Sequence, residues 1–171
     1  MLWGDSTGYV WSRRGERAEI PIRNIKERQT YYGALNLRDR DFILMPRESG
    51  DGENTVSFMK RLQELNPEKK LMIIWDGARY HDCGEVREYL DEVNRGLEEK
   101  DWKITCLLFA PNAPEQNPVE DVWLRGKNHL RKHFYENKTF QQVKNCFCNF
   151  INKKIFSFSK IDWYLKIPQS V

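Results

Sequence analysis

A chain of 171 residues, 40% hydrophobic and 13% aromatic, is about one domain long, and roughly two-thirds of the surface of an unfolded chain this size is buried on folding. Charged residues make up 31% and mean hydropathy is -0.75, which argues against a membrane-embedded chain, while the apolar and aromatic content argues against disorder. No run approaches the roughly 18 to 20 apolar residues of a membrane helix, and the first residues lack a basic start followed by an apolar stretch, so a cytoplasmic protein without a membrane partner is expected.

Charge is unevenly spread. Between Arg125 and Val171, ten Lys and Arg stand against Glu136 and Asp162, a net of +8, which leaves -5 for the first 124 residues out of the total of +3. A basic segment beside an acidic one suits an enzyme that grips phosphates with one surface and gathers divalent cations at another, although a solvated basic helix gives the same balance. Cys83, Cys106, Cys146 and Cys148 show neither C-x-x-C spacing nor the density of a disulfide scaffold, so they are expected as thiols. His129 and His133 stand at helical i, i+4 spacing but lack the glutamate of an H-E-x-x-H motif, which favours a basic helix face over a zinc site.

In chain order, Leu2 and Trp3 running into Asp5 read as the end of a strand, and Tyr9 to Trp11 as a short return strand. Thr30 to Asn36 and Phe42 to Met45 are β-rich runs around the polar turn Arg38 to Asp41, a hairpin pattern. Val56, Met59, Leu62 and Leu65 then recur at helical spacing, with Asn54 or Thr55 as N-cap and Asn66-Pro67 as a stop. Leu71 to Trp75 is a continuous apolar run of the kind buried on both faces, and it ends at Asp76. A helix over roughly Glu85 to Leu97 leads through a charged loop to a second such strand, Ile104 to Phe109. Strand, helix, strand implies parallel pairing with a right-handed crossover. After a proline-punctuated loop, Val119 to Phe134 reads as a helix, and Thr139 with Gln142 forms a capping box for a last helix carrying Phe140, Val143, Phe147 and Phe150. The fold class is α/β, with antiparallel strands first, then parallel ones, flanked by helices.

Three carboxylates stand out. Asp5 and Asp76 follow strands, and Glu120 lies in the first turn of a helix. If the two strands are neighbours, both aspartates reach one edge of the sheet, where open α/β sheets bind ligands. Oxygen donors of this kind suit magnesium, and two ions roughly 3.5 to 4 Å apart serve phosphoryl transfer. Singly, each acid has an ordinary explanation as a turn residue, a loop cap or a complement to a helix N-terminus.

Their context is more specific. Trp75-Asp76-Gly77-Ala78-Arg79-Tyr80-His81 resembles the D-N-A-x-x-H segment of mariner-like DDE transposases of bacterial insertion sequences. Asn117-Pro118-Val119-Glu120-Asp121-Val122-Trp123, after Ala113-Pro114-Glu115, is similar to their S-P-E-L-N-P-I-E-x-x-W segment. Trp3-Gly4-Asp5-Ser6 with Trp11-Ser12-Arg13-Arg14-Gly15 resembles their first catalytic strand and its follow-on, and Tyr32-Gly33-Ala34-Leu35 their third strand. The resemblance implies an RNase H-like fold with a mixed central sheet, a metal triad of Asp5, Asp76 and Glu120 holding two Mg2+ or Mn2+ ions, and His81 as an active-site neighbour. It also implies strand cleavage at transposon ends, strand transfer into target DNA, and a homodimer in the active complex.

Arg125, Lys127, Arg131 and Lys132, with the C-terminal helix, are the expected phosphate-facing surface. The sequence departs from the family pattern at Gly77 and Ser6, and the 44-residue spacing from Asp76 to Glu120 is long, with the extra residues expected in the loop Glu98 to Lys103. Only four residues precede Asp5, so residues 1–171 are expected to be a single catalytic domain whose helix-turn-helix DNA-binding segment is absent or supplied by a separate polypeptide. Two other readings of the pattern are an inactive transposase remnant or DNA-binding accessory domain, and an RNase H-like nuclease without strand transfer.

Overall fold

The computed structural model describes residues 12–16, 27–111, 113–152 and 154–165, so both expected strands before residue 12 lie outside the described residues. The chain divides into two compact units, a continuous one over Arg47–Asn117 and a discontinuous one built from residues up to Pro46 together with Pro118–Val171. Among the described residues there are two two-stranded sheets, one in each unit save for the last residue of one strand, and no helix is long and apolar enough to cross a membrane.

In the continuous unit, helix α1 (Gly52–Leu65) begins earlier than periodicity alone predicts. Its N-cap is Asp51, not Asn54 or Thr55, because the Asp51 carboxylate accepts from the Asn54 N–H at 2.8 Å while Thr55 Oγ1 donates back to the Asp51 carbonyl at 2.7 Å. Strand β3 (Leu71–Trp75) and strand β4 (Ile104–Leu108) pair in parallel, Leu71 opposite Ile104 through Trp75 opposite Leu108. Helix α2 (Gly84–Val93) connects them. It stops short of Leu97 because Asn94 leaves the helix to hold the next strand, donating to the Ile104 carbonyl at 2.9 Å and accepting from Lys103 N–H at 2.8 Å.

Met59, Val86 and Ile104 are the buried centre of this unit, with Leu71, Ile73, Trp75 and Cys106 packed around them. These strand residues alternate, so α1 and α2 cover one face of the pair. The expectation of burial on both faces is not met: Met72, on the opposite face, is 66% exposed and Leu107 is 44% exposed. A continuous apolar run states only that a strand tolerates burial, and cannot state which face is covered.

In the discontinuous unit, β1 (Thr30–Leu35) and β2 (Phe42–Arg47) form the expected hairpin. Asn36 shapes its turn by accepting from the N–H groups of Arg38 and Asp39, at 3.0 and 3.2 Å. Helix α3 (Pro118–Lys132) starts on a proline, whose fixed φ suits the first helical position. Helix α4 (Phe140–Asn152) carries the expected capping box, with Gln142 N–H donating to Thr139 Oγ1 and the Gln142 side chain accepting from Thr139 N–H, both at 3.2 Å. A further short helix, α5 (Ser159–Leu165), was not expected. The core here is aromatic and dense, with Phe42, Val122, Leu130, Phe140, Val143, Phe147, Ile151 and Phe156 buried together. Gly126 admits the Phe147 ring: a Cβ at position 126 would overlap it.

Candidate active site

Asp76 follows the last residue of β3, at the carboxyl end of a parallel strand pair. The ladder closes just beyond it, where Phe109 N–H donates to the Trp75 carbonyl at 2.9 Å. The chain then turns sharply away from the sheet. Asp76 Oδ1 accepts from Ala78 N–H at 3.1 Å, an Asx-type turn, and a single 3-10 turn, Arg79–His81, follows.

That turn brings His81 back to the aspartate. Its Nδ1 lies 3.0 Å from Asp76 Oδ1 and 3.1 Å from the Asp76 carbonyl oxygen. The imidazole is parallel to the Trp75 indole, centroids 4.7 Å apart and planes 5° apart, and meets the Tyr80 ring edge-on at 4.5 Å. Asp76 itself stays open, with its side chain 59% exposed. Both of these side-chain contacts fall on one oxygen, Oδ1.

Glu120 sits in the first turn of α3, exposed, where an acid complements the helix dipole. Its neighbour Asp121 points elsewhere: Lys160 Nζ lies 2.7 Å from Asp121 Oδ2 and ties α5 to α3. Counting along the helix, Lys127 and Arg131 fall on the same stripe as Glu120, whereas Arg125 and Lys132 fall on the stripe of Asp121. Arg125 is also used internally, its guanidinium 4.2 Å from the Phe158 ring centre and donating to the Ser157 carbonyl at 3.3 Å. Arg131 donates to Asn128 Oδ1 at 2.8 Å, and Lys132 is exposed.

Asp5 lies outside the described residues, and Asp76 and Glu120 belong to different units. Among the described residues no three or more His, Cys, Asp or Glu gather into a metal-holding cluster. Taken singly, each acid's chemistry fits a hard divalent cation: an exposed carboxylate matches the oxygen preference of magnesium and manganese. His129 and His133 are engaged otherwise. The His129 ring stacks on Phe150 at 4.2 Å, and His133 Nδ1 meets Glu136 at 3.0 Å. All four cysteines are free thiols, and burial pushes Cys106 up to about 11.

Sequence reasoning missed the pairing of His81 with Asp76 through Nδ1. Four residues lie between them, and nothing in their spacing announces that the intervening turn folds back.

A hairpin, a parallel strand pair flanked by helices, and an aspartate at the carboxyl end of a parallel strand make a mixed α/β architecture consistent with an RNase H-like fold. The chain belongs to the DDE superfamily endonuclease family, which matches residues 4–142. That span takes in Asp5, Asp76 and Glu120 and nearly all of both units' described elements up to the start of α4. Domains of this family act on DNA and are generally dependent on divalent metal ions. No curated protein matches the chain.

Proposed function

We propose that this chain is the catalytic domain of a mariner-like cut-and-paste DNA transposase, with Asp5, Asp76 and Glu120 as its metal-binding acids. The observation that carries the proposal is Asp76, an exposed carboxylate at the carboxyl end of a parallel strand, fixed through Oδ1 in a chain of the DDE superfamily endonuclease family. Two Mg2+ or Mn2+ ions held by the three acids would supply activation of the attacking oxygen and stabilisation of the leaving oxygen at a phosphodiester. The chain's own part is to hold the carboxylates, to neutralise phosphates and to keep the scissile bond in line.

Lys127 and Arg131, on the Glu120 stripe of α3, are the best placed of the basic residues to follow a DNA backbone leading away from that acid, and Lys132 and Arg125 extend the charge on the adjacent stripe. The freed 3′-hydroxyl at the transposon end would then attack target DNA. A homodimer engaging paired ends, and recognition of the ends by a helix-turn-helix segment, belong to the same proposal.

Mn2+-dependent nicking of supercoiled plasmid by the chain, together with a DNA-binding titration across salt concentration, tests it. Nicking is expected from the unaltered chain and lost in Asp5→Ala, Asp76→Ala and Glu120→Ala, while binding persists in all of them with its steep salt dependence. Binding without nicking at saturating Mn2+ favours a remnant or accessory domain, and nicking that survives Asp76→Ala contradicts the triad. Cleavage without joining of the 3′-end to target DNA favours a nuclease of the same fold.

A further inference from the structure

We infer that His81 is a positioning residue for Asp76, donating its Nδ1–H to the Asp76 carbonyl and standing beside Oδ1, so that Oδ2 is presented to a cation. This rests on the reading of Asp76 as a metal ligand and adds the group that holds it. Both atoms within reach of Nδ1, the Asp76 carbonyl oxygen at 3.1 Å and Oδ1 at 3.0 Å, are acceptors, so Nδ1 must carry the hydrogen. That hydrogen bond goes to the Asp76 carbonyl oxygen, while Oδ1 accepts from the Ala78 N–H at 3.1 Å and has Nδ1 3.0 Å away. A carboxylate 59% exposed would otherwise rotate among rotamers; the Ala78 N–H on Oδ1 and the imidazole beside it hold it.

The imidazole is in turn immobilised. It is only 15% exposed, parallel to the Trp75 indole and edge-on to Tyr80. The Tyr80 ring lies against the backbone at Gly50, where a Cβ would stand 3.3 Å from it. Trp75 comes immediately before Asp76 and Tyr80 immediately before His81, so the turn carries the clamp and the clamped group together. Partners of this kind, which orient a metal-binding group without touching the metal, typically change metal affinity by about 10- to 100-fold when removed.

The test is Mn2+ calorimetry on the unaltered chain, Asp76→Ala, His81→Phe and His81→Asn. His81→Phe keeps an aromatic ring against Trp75 and removes the donor, whereas His81→Asn restores an N–H donor close to the position of Nδ1. Mn2+ affinity is expected to fall about 10- to 100-fold in His81→Phe and to return to within about 3-fold in His81→Asn, with the melting temperature of each variant measured alongside. Undiminished affinity in His81→Phe overturns the positioning role and leaves Asp76 as a ligand. Undiminished affinity in Asp76→Ala overturns the metal reading and the role with it. A readout that needs neither variant nor metal is the long-range 1H–15N spectrum of the 15N-histidine chain. The Nδ1–H tautomer is expected at His81, and the Nε2–H tautomer overturns the inference.

Discussion

The two units of this chain are built by different means. The continuous unit over Arg47–Asn117 takes its structure from neighbours in sequence: α1 is capped by the residue before it, β3 runs into a turn shaped by its own next residue, and Asn94 stops α2 while pinning β4 ten residues on. The discontinuous unit joins parts far apart. Arg40, in the hairpin turn, donates to Ser157 Oγ and to Asp162 across more than a hundred residues, and its carbonyl accepts from Phe156 N–H at 2.8 Å. Local chemistry can position a turn such as the one bearing Asp76, whereas the helix bearing Glu120 is held by a core assembled from both parts of its unit.

That contrast makes mutations in the two units behave differently. The largest effect is expected at Phe156, fully buried among Phe42, Phe147 and Ile151 at the far end of the chain. Phe156→Ala should cost about 3 to 5 kcal/mol in denaturant unfolding. A cost below about 1 kcal/mol, the level of a surface change, would mean that the C-terminal segment is not part of the core. In the continuous unit, Asp51→Ala removes the cap of α1 together with the carboxylate's bonds to Ser49 and the Asn54 side chain, and should lower the unfolding midpoint by less than Phe156→Ala does.

Legibility in the sequence follows the same division. The strand ending at Asp76, its parallel partner and the α4 capping box were all readable, because periodicity and caps are local signals. Helix α5 was not, since seven residues carry too short a pattern; its place is set by buried Ile161 and by the pairs Lys160 with Asp121 and Asp162 with Arg40. The exposed face of β3 and β4 was not legible either, because an apolar run does not record which face its neighbours cover. For the candidate site, motifs placed Asp76 on the end of its strand and Glu120 in the first turn of its helix. The contacts of His81 depend on a backbone turn that no spacing rule encodes.

The smallest effect concerns acid sensitivity in the discontinuous unit. Burial pushes the His129 imidazole below its ordinary value, with His133 and Lys154 adding to the shift against the opposing charge of Glu136. Protons are then bound more readily by the unfolded chain, so His129 favours folding above the unfolded histidine value near 6.5, and that contribution is lost as pH falls through the lower folded value. The unfolding midpoint should therefore drop between about pH 7 and pH 5, less steeply in His129→Gln. An identical slope in the two would assign the acid sensitivity to other groups.

The proposal's central claim is that Asp5, Asp76 and Glu120 bind divalent metal, and electron paramagnetic resonance of bound Mn2+ tests it most directly. The account predicts the spectrum of a coupled pair, with ions roughly 3.5 to 4 Å apart, in the unaltered chain, and its loss in each of Asp5→Ala, Asp76→Ala and Glu120→Ala. A spectrum of isolated ions in the unaltered chain, or a coupled pair that survives Glu120→Ala, would contradict it.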